Sequence, residues 1–125
     1  MPRPGVAPTV PARLRRLPRH ALPGGATVFV ARSPRDRLLG LMGLPELPDG
    51  CGLLFPRCDS VHTAWMRVPI DVVFLDRDGR VLAVRTCLRP WRVARCRGAA
   101  AVLECPAGGA PLLLSGRSSR VATKA

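Results

Sequence analysis

Residues 70–88 read Ile-Asp-Val-Val-Phe-Leu-Asp-Arg-Asp-Gly-Arg-Val-Leu-Ala-Val-Arg-Thr-Cys-Leu, and the fold is decided there. Ile70 to Asp76 is apolar on both parities, with Val72 and Phe74 on one side and Val73 and Leu75 on the other. A strand of that pattern is expected in the middle of a sheet, covered on each face. Asp76-Arg77-Asp78-Gly79 carries turn chemistry, and Arg80 to Leu88 is expected to return as its hairpin partner.

On the N-terminal side, Ser60 to Met66 and Gly52 to Phe55 read as short strands and Pro45 to Gly50 as a loop. Ser33-Pro34-Arg35-Asp36 reads as a helix start. Ser33 can cap, Pro34 suits the first helical position, and Asp36 stands where a capping-box acid belongs. Leu38, Leu41 and Met42 follow at helical spacing, and Gly43 can end a helix of about ten residues. Ala26 to Arg32, behind Pro23-Gly24-Gly25, is the expected first strand. On the C-terminal side, Arg89 to Arg97 reads as a basic loop around Pro90-Trp91. Ala99 to Cys105 is an expected strand whose alanines leave helix open, broken by Pro106 to Gly109. Pro111 to Ser115 is a last short apolar element. No repeat, no βαβ alternation and no glycine-rich phosphate loop is visible. These elements predict a mainly β, compact single domain, a sandwich-like or barrel-like sheet with one or two short helices.

The chain has 125 residues, room for one core. Hydrophobic residues make up 47% and mean hydropathy is +0.14, a globular composition. The net charge of +12 suggests nucleic acid or an anionic surface, but its distribution weakens that reading. Residues 1–22 carry +5 and residues 117–125 carry +3, which leaves +4 on residues 23–116. We expect residues 1–22 to be a disordered Arg/Pro-rich arm, 23–116 the domain, and 117–125 a flexible basic tail. Lys124 is the sole lysine beside many arginines, alanines, prolines and glycines, a pattern that G+C-rich coding also produces. Pro18, His20, Pro23, Gly24 and Gly25 interrupt any signal-peptide core, and no apolar run approaches a membrane span. A soluble, cytoplasmic monomer without membrane contact is expected.

Cys51, Cys58, Cys87, Cys96 and Cys105 form no C-x-x-C pair, so no zinc module is indicated. The odd count suits reduced thiols. No metal or cofactor is expected.

Several segments together resemble one known family. Arg37 to Met42 (R-x-x-G-L-M) and Gly52 to Phe55 (G-L-L-F) are similar to its opening. Ser60 to Val81 is similar to its central signature, and Leu88 to Arg92 (L-R-P-W-R) and Val102 to Gly108 (V-L-E-C-P-A-G) to its closing ones. The chain is identified as a member of the domain of unknown function 192 family, over about residues 26–108. The resemblance implies a mainly β, sandwich-like prokaryotic domain and brings no reaction with it. Many members are exported. The family's usual Gly-Asp ending is here Gly116-Arg117, which puts a last strand in doubt.

The densest polar cluster is Cys58-Asp59-Ser60-Val61-His62-Thr63. In a strand, Cys58 and His62 share a face. Such a pair can make an activated thiol nucleophile or offer two ligands to a metal. It can equally be a core thiol and a hydrogen-bonded histidine. Asp71 interrupts aliphatic residues, where an unpaired carboxylate would be destabilising, so it needs donor partners or a raised pKa. One reading has it accept backbone N–H groups or an arginine; the other makes it a base or ligand-binding group. Glu104 sits in the same situation, and the two acids could pair with each other or with Arg37 or Arg67. Trp65 and Met66 suit a pocket lining or the core. Arg85, Arg89, Arg92, Arg95 and Arg97 around Trp91 suit single-stranded nucleic acid, or a solvated loop.

The leading expectation is a non-catalytic binding or accessory module. Its cleft would gather His62, Trp65, Met66, Asp71 and Glu104 around a small ligand or a peptide. A second reading is an enzyme, possibly metal-assisted, using Cys58, His62, Asp71 or Glu104. A third, weaker one is a nucleic-acid binder working through Arg85 to Arg97 and the tails.

Overall fold

A computed structural model describes residues 10–21, 25–43 and 47–114. Two sheets carry the fold. The larger has six strands: β1 (Arg19–Ala21), β2 (Thr27–Val30), β3 (Cys51–Pro56), β5 (Ile70–Leu75), β6 (Val81–Leu88) and β8 (Ala101–Pro106). Their order is β1-β2-β3-β8-β5-β6, and the smaller sheet pairs β4 (Ser60–His62) with β7 (Val93–Arg95). Short helical segments α1 (Ala12–Arg15), α2 (Pro34–Leu39) and α3 (Ala110–Leu114) complete the described chain. The protein is mainly β, with no closed barrel.

β5 is buried along its whole length, as its two-sided apolar pattern requires. One side of the sheet holds Phe29, Leu53, Phe55, Ile70, Val72, Phe74 and Val102; the other holds Val28, Leu54, Val73, Leu75, Leu103, Cys105 and Leu113. The β5–β6 turn forms as expected. The Asp76 carboxylate accepts the Asp78 and Arg80 N–H groups at 2.8 and 2.9 Å, and Gly79 takes φ +80°.

Ser33 caps α2 by accepting the Asp36 N–H at 3.1 Å, with Pro34 at the helix start. The helix ends at Leu39, earlier than Gly43, because Gly40 turns the backbone to φ +45°.

Three expectations need correction. First, α1 and β1 lie inside the arm expected to be disordered: Leu14 is fully buried, and β1 pairs antiparallel with β2. The alternation of leucine with arginine hid one turn of helix that buries a single side chain. Residues 1–9, like the expected tail at 117–125, lie outside the described residues. Second, β2 and β3 pair in parallel with α2 between them, a βαβ crossover that was read as absent. Third, the basic loop at 89–97 contains β7, which β4 pairs with; β4 itself stops at His62, not Met66. The short apolar element expected at Pro111 to Ser115 takes the form of a helix, α3.

Candidate functional site

Glu104 occupies the middle of β8, beside Leu53 of β3 and Val72 of β5. Alternation along β8 sends Leu103 and Cys105 to one face and Val102 and Glu104 to the other. Only 4% of Glu104 is exposed. Among the described residues no side chain or backbone group forms an ion pair or hydrogen bond with its carboxyl. Burial raises its pKa from the ordinary 4.5 to about 8, so it is protonated at neutral pH. A neutral carboxyl has one O–H donor and one C=O acceptor side by side.

This carboxyl borders a half-enclosed cavity of about 120 Å³, walled by α2 and its following turn, Phe55 of β3, and Ser60 and Val61 of β4. Cys58, His62 and Met66 also line it. The walls are built by long-range backbone ties. Arg37, on α2, donates to the Pro56 and Arg57 carbonyls at 2.5 and 3.1 Å, which holds the helix over the end of β3. Arg13, on α1, donates from Nη2 to the Gly40 and Met42 carbonyls, each at 2.8 Å, and so clamps the turn on the other side. A β-carbon at Gly40 would approach Phe55 Cζ to 3.2 Å, and its positive φ disfavours any other residue.

Cys58 and His62 both reach the cavity, but each is engaged with its own backbone. The Cys58 thiol donates to the Ser60 carbonyl at 3.0 Å, and His62 Nδ1 accepts the Ala64 N–H at 3.2 Å. The thiol proton is directed at a carbonyl and not at the imidazole. Among the described residues no three His, Cys, Asp or Glu side chains come together as metal ligands.

The expected five-residue cleft divides. His62, Met66 and Glu104 share the cavity, with Cys58; Asp71 and Trp65 are not in it. Asp71 pairs with Cys105 across the β5–β8 ladder, on the opposite face of the sheet from Glu104, so the two acids cannot act as a pair. Fully buried, Asp71 accepts three backbone N–H groups: Cys87 at 2.9 Å, Gly108 at 3.0 Å and Ala110 at 3.2 Å. It thereby holds a bulge in β6, where the register jumps between Ile70 and Val72 and Cys87 takes φ +52°, and it caps the start of α3. Trp65 is 65% exposed and packs edge to face on Trp91.

Gly40 and Met42 line the cavity and Arg13 ties the turn that carries them; sequence reasoning assigned none of the three to a site. Gly40 and Met42 belong to the R-x-x-G-L-M segment, whose glycine and arginine were the available signal; Arg13 carried none.

A mainly β single domain with a half-closed, carboxyl-bearing cavity is the class these features define. The family model of domain of unknown function 192, described as an uncharacterized ACR, matches residues 19–114, and the chain belongs to that family. A protein of unknown function from Novosphingobium aromaticivorans DSM 12444 is similar in structure, with a TM-score of 0.67, 25% identity, and 87% of each chain covered. A protein from Sinorhizobium meliloti 1021, provisionally described as a transcription regulator, matches with a TM-score of 0.65 and 25% identity over 81% of this chain and 86% of that one. No curated protein matches the chain. Among the described residues no helix is long and apolar enough to cross a membrane.

Proposed function

We propose that this domain is a binding module whose cavity takes a small molecule, or one peptide side chain, with a mostly apolar body and a single hydrogen-bonding head. The observation that carries this is Glu104: a buried carboxyl, protonated at neutral pH, that borders a cavity without a protein partner. No protein group engages this carboxyl, so an arriving ligand head can pair with it without displacing one. A neutral carboxyl is complementary to an amide, donor to acceptor and acceptor to donor. Phe55 and Met66 suit the apolar body, and His62 Nε2 remains for a second polar contact. At about 120 Å³ the space suits a fragment close to benzene in size. A thiol enzyme is the poorer reading, because Cys58 donates to Ser60 and His62 is held by Ala64.

The experiment is an amide-resonance titration with benzamide, acetamide and imidazole. Benzamide is expected to move the resonances of Gly40–Met42, Cys58–Met66 and Glu104. Its affinity should fall as pH rises through about 8, where Glu104 ionises and loses its donor. In Glu104→Gln, which keeps a donor and an acceptor, that fall should vanish. If none of the three fragments moves those resonances, the cavity is not a binding site.

A further inference from the structure

Trp65 and Trp91 are the chain's only tryptophans, and both are surface residues, 65% and 59% exposed. Their ring centroids lie 4.8 Å apart with the planes at 63°. Both have φ +63°, a left-handed conformation that bulky residues seldom adopt and that persists only where surrounding structure enforces it. The enforcing residue is Thr63, which is fully buried. Its carbonyl accepts the Trp91 N–H at 3.0 Å and the Met66 N–H at 3.2 Å. Its hydroxyl donates to the Arg89 carbonyl at 2.6 Å and accepts the Arg92 N–H at 2.7 Å. The Trp65 carbonyl is held in turn by the Gly43 N–H at 3.0 Å. Two strained positions are thus anchored from beneath while their indoles stay in solvent. Core packing does not account for that arrangement, since neither ring is buried.

Arg89 and Arg92 flank Trp91 in the chain, and with Arg85 they line an open groove of about 690 Å³ between the end of β6 and β7. Residues 85–97 contain five arginines and no acid. Arg95 pairs with Asp59 at 3.6 Å; Arg85, Arg89 and Arg92 have no carboxylate partner among the described residues. An arginine-lined groove that starts beside an exposed aromatic pair is complementary to a chain of phosphates carrying bases.

We infer that Trp65, Trp91 and the Arg85–Arg89–Arg92 groove form a binding surface for single-stranded nucleic acid, separate from the Glu104 cavity. Bases stack on the exposed indole faces, and the arginines meet the phosphates. The two planes are inclined, so successive bases must splay apart, which a single strand allows and a duplex resists.

Because both fluorophores lie in the proposed site, intrinsic tryptophan fluorescence of the full chain reports on it directly. Titration with an oligothymidylate of about a dozen nucleotides is expected to quench the emission saturably. The affinity should fall with salt at a log–log slope of about −2, the value for three phosphate contacts on a single strand. Trp65→Ala and Trp91→Ala, each keeping one reporter, should weaken binding roughly five- to a hundred-fold. Arg89→Ser with Arg92→Ser keeps both tryptophans and should weaken it at least about tenfold and flatten the salt slope. Arg80→Ser, which removes one arginine just before the opposite end of β6, should change little. Far-UV circular dichroism verifies that each variant is folded. The inference is overturned if no quenching occurs at low salt. It also fails if all these variants bind like the parent, which assigns binding to the basic termini. Equal quenching by duplex DNA, heparin or anionic lipid vesicles overturns it too, since charge alone then suffices.

Discussion

Asp71 shows what a single buried carboxylate can organise. Its three acceptor contacts reach the β6 bulge, the turn after β8 and the first residue of α3, segments far apart in the chain. Asp71→Ala would strand three buried amides at once. We expect it to destabilise the fold by roughly 3–5 kcal/mol in urea unfolding, with Asp71→Asn, which keeps one acceptor oxygen, costing less. A loss of under about 1 kcal/mol for the alanine variant would mean that water replaces the carboxylate. The thiols provide a second test at this scale. All five cysteines are free. Cys105 is buried, and burial, then the Asp71 and Glu104 carboxylates, push its thiol up to about 12. Cys87 is exposed. Under native conditions a thiol reagent should label Cys87 early and reach Cys105 only on unfolding, as read by peptide mass mapping.

At the scale of elements, the cavity depends on segments at the edge of the fold. α1 contributes Leu14 to the core and Arg13 to the turn at Gly40–Met42, while β1 covers the edge of β2. Leu14→Ala should cost about 2–5 kcal/mol, the range for truncating a fully buried leucine. Arg13→Met should leave stability nearly unchanged yet weaken benzamide binding, because it frees one cavity wall. Equal benzamide affinity in parent and variant would show that the turn holds its shape without the clamp. β4 and β7 are only three residues each. So short a pair needs outside support, and Thr63 supplies it just beyond β4.

For the whole molecule, Glu104 couples stability to pH. Its carboxyl titrates near 8 in the fold against an ordinary 4.5, so between those values the folded chain keeps a proton that the unfolded chain releases. Stability should therefore fall as pH rises from about 4.5 to about 8 and level off for this group above it. Glu104→Gln should remove that slope and make the protein more stable than the parent above pH 8, by on the order of a few kcal/mol. Thermal or urea unfolding across the range checks this; an unaltered slope in the variant would place the titrating proton on another group.

Much of this molecule was legible in local pattern. The β5–β6 hairpin, the Ser33 cap, β2 and the two-sided burial of β5 follow from side-chain period and turn chemistry, which act over a few residues. The sequence also marked Glu104 and Asp71 as acids needing an explanation, because each interrupts an aliphatic run. What it could not determine was where each acid points. Their positions differ by one step of alternation in paired strands, and register alone sends Glu104 to the cavity and Asp71 to the backbone amides of the opposite face. Nor could the chain by itself reveal α1, the parallel β2–β3 pair or β7, since each persists through contacts with residues distant in sequence. Tertiary structure decided these, because register and long-range burial are properties of pairs of segments, and no single segment encodes them.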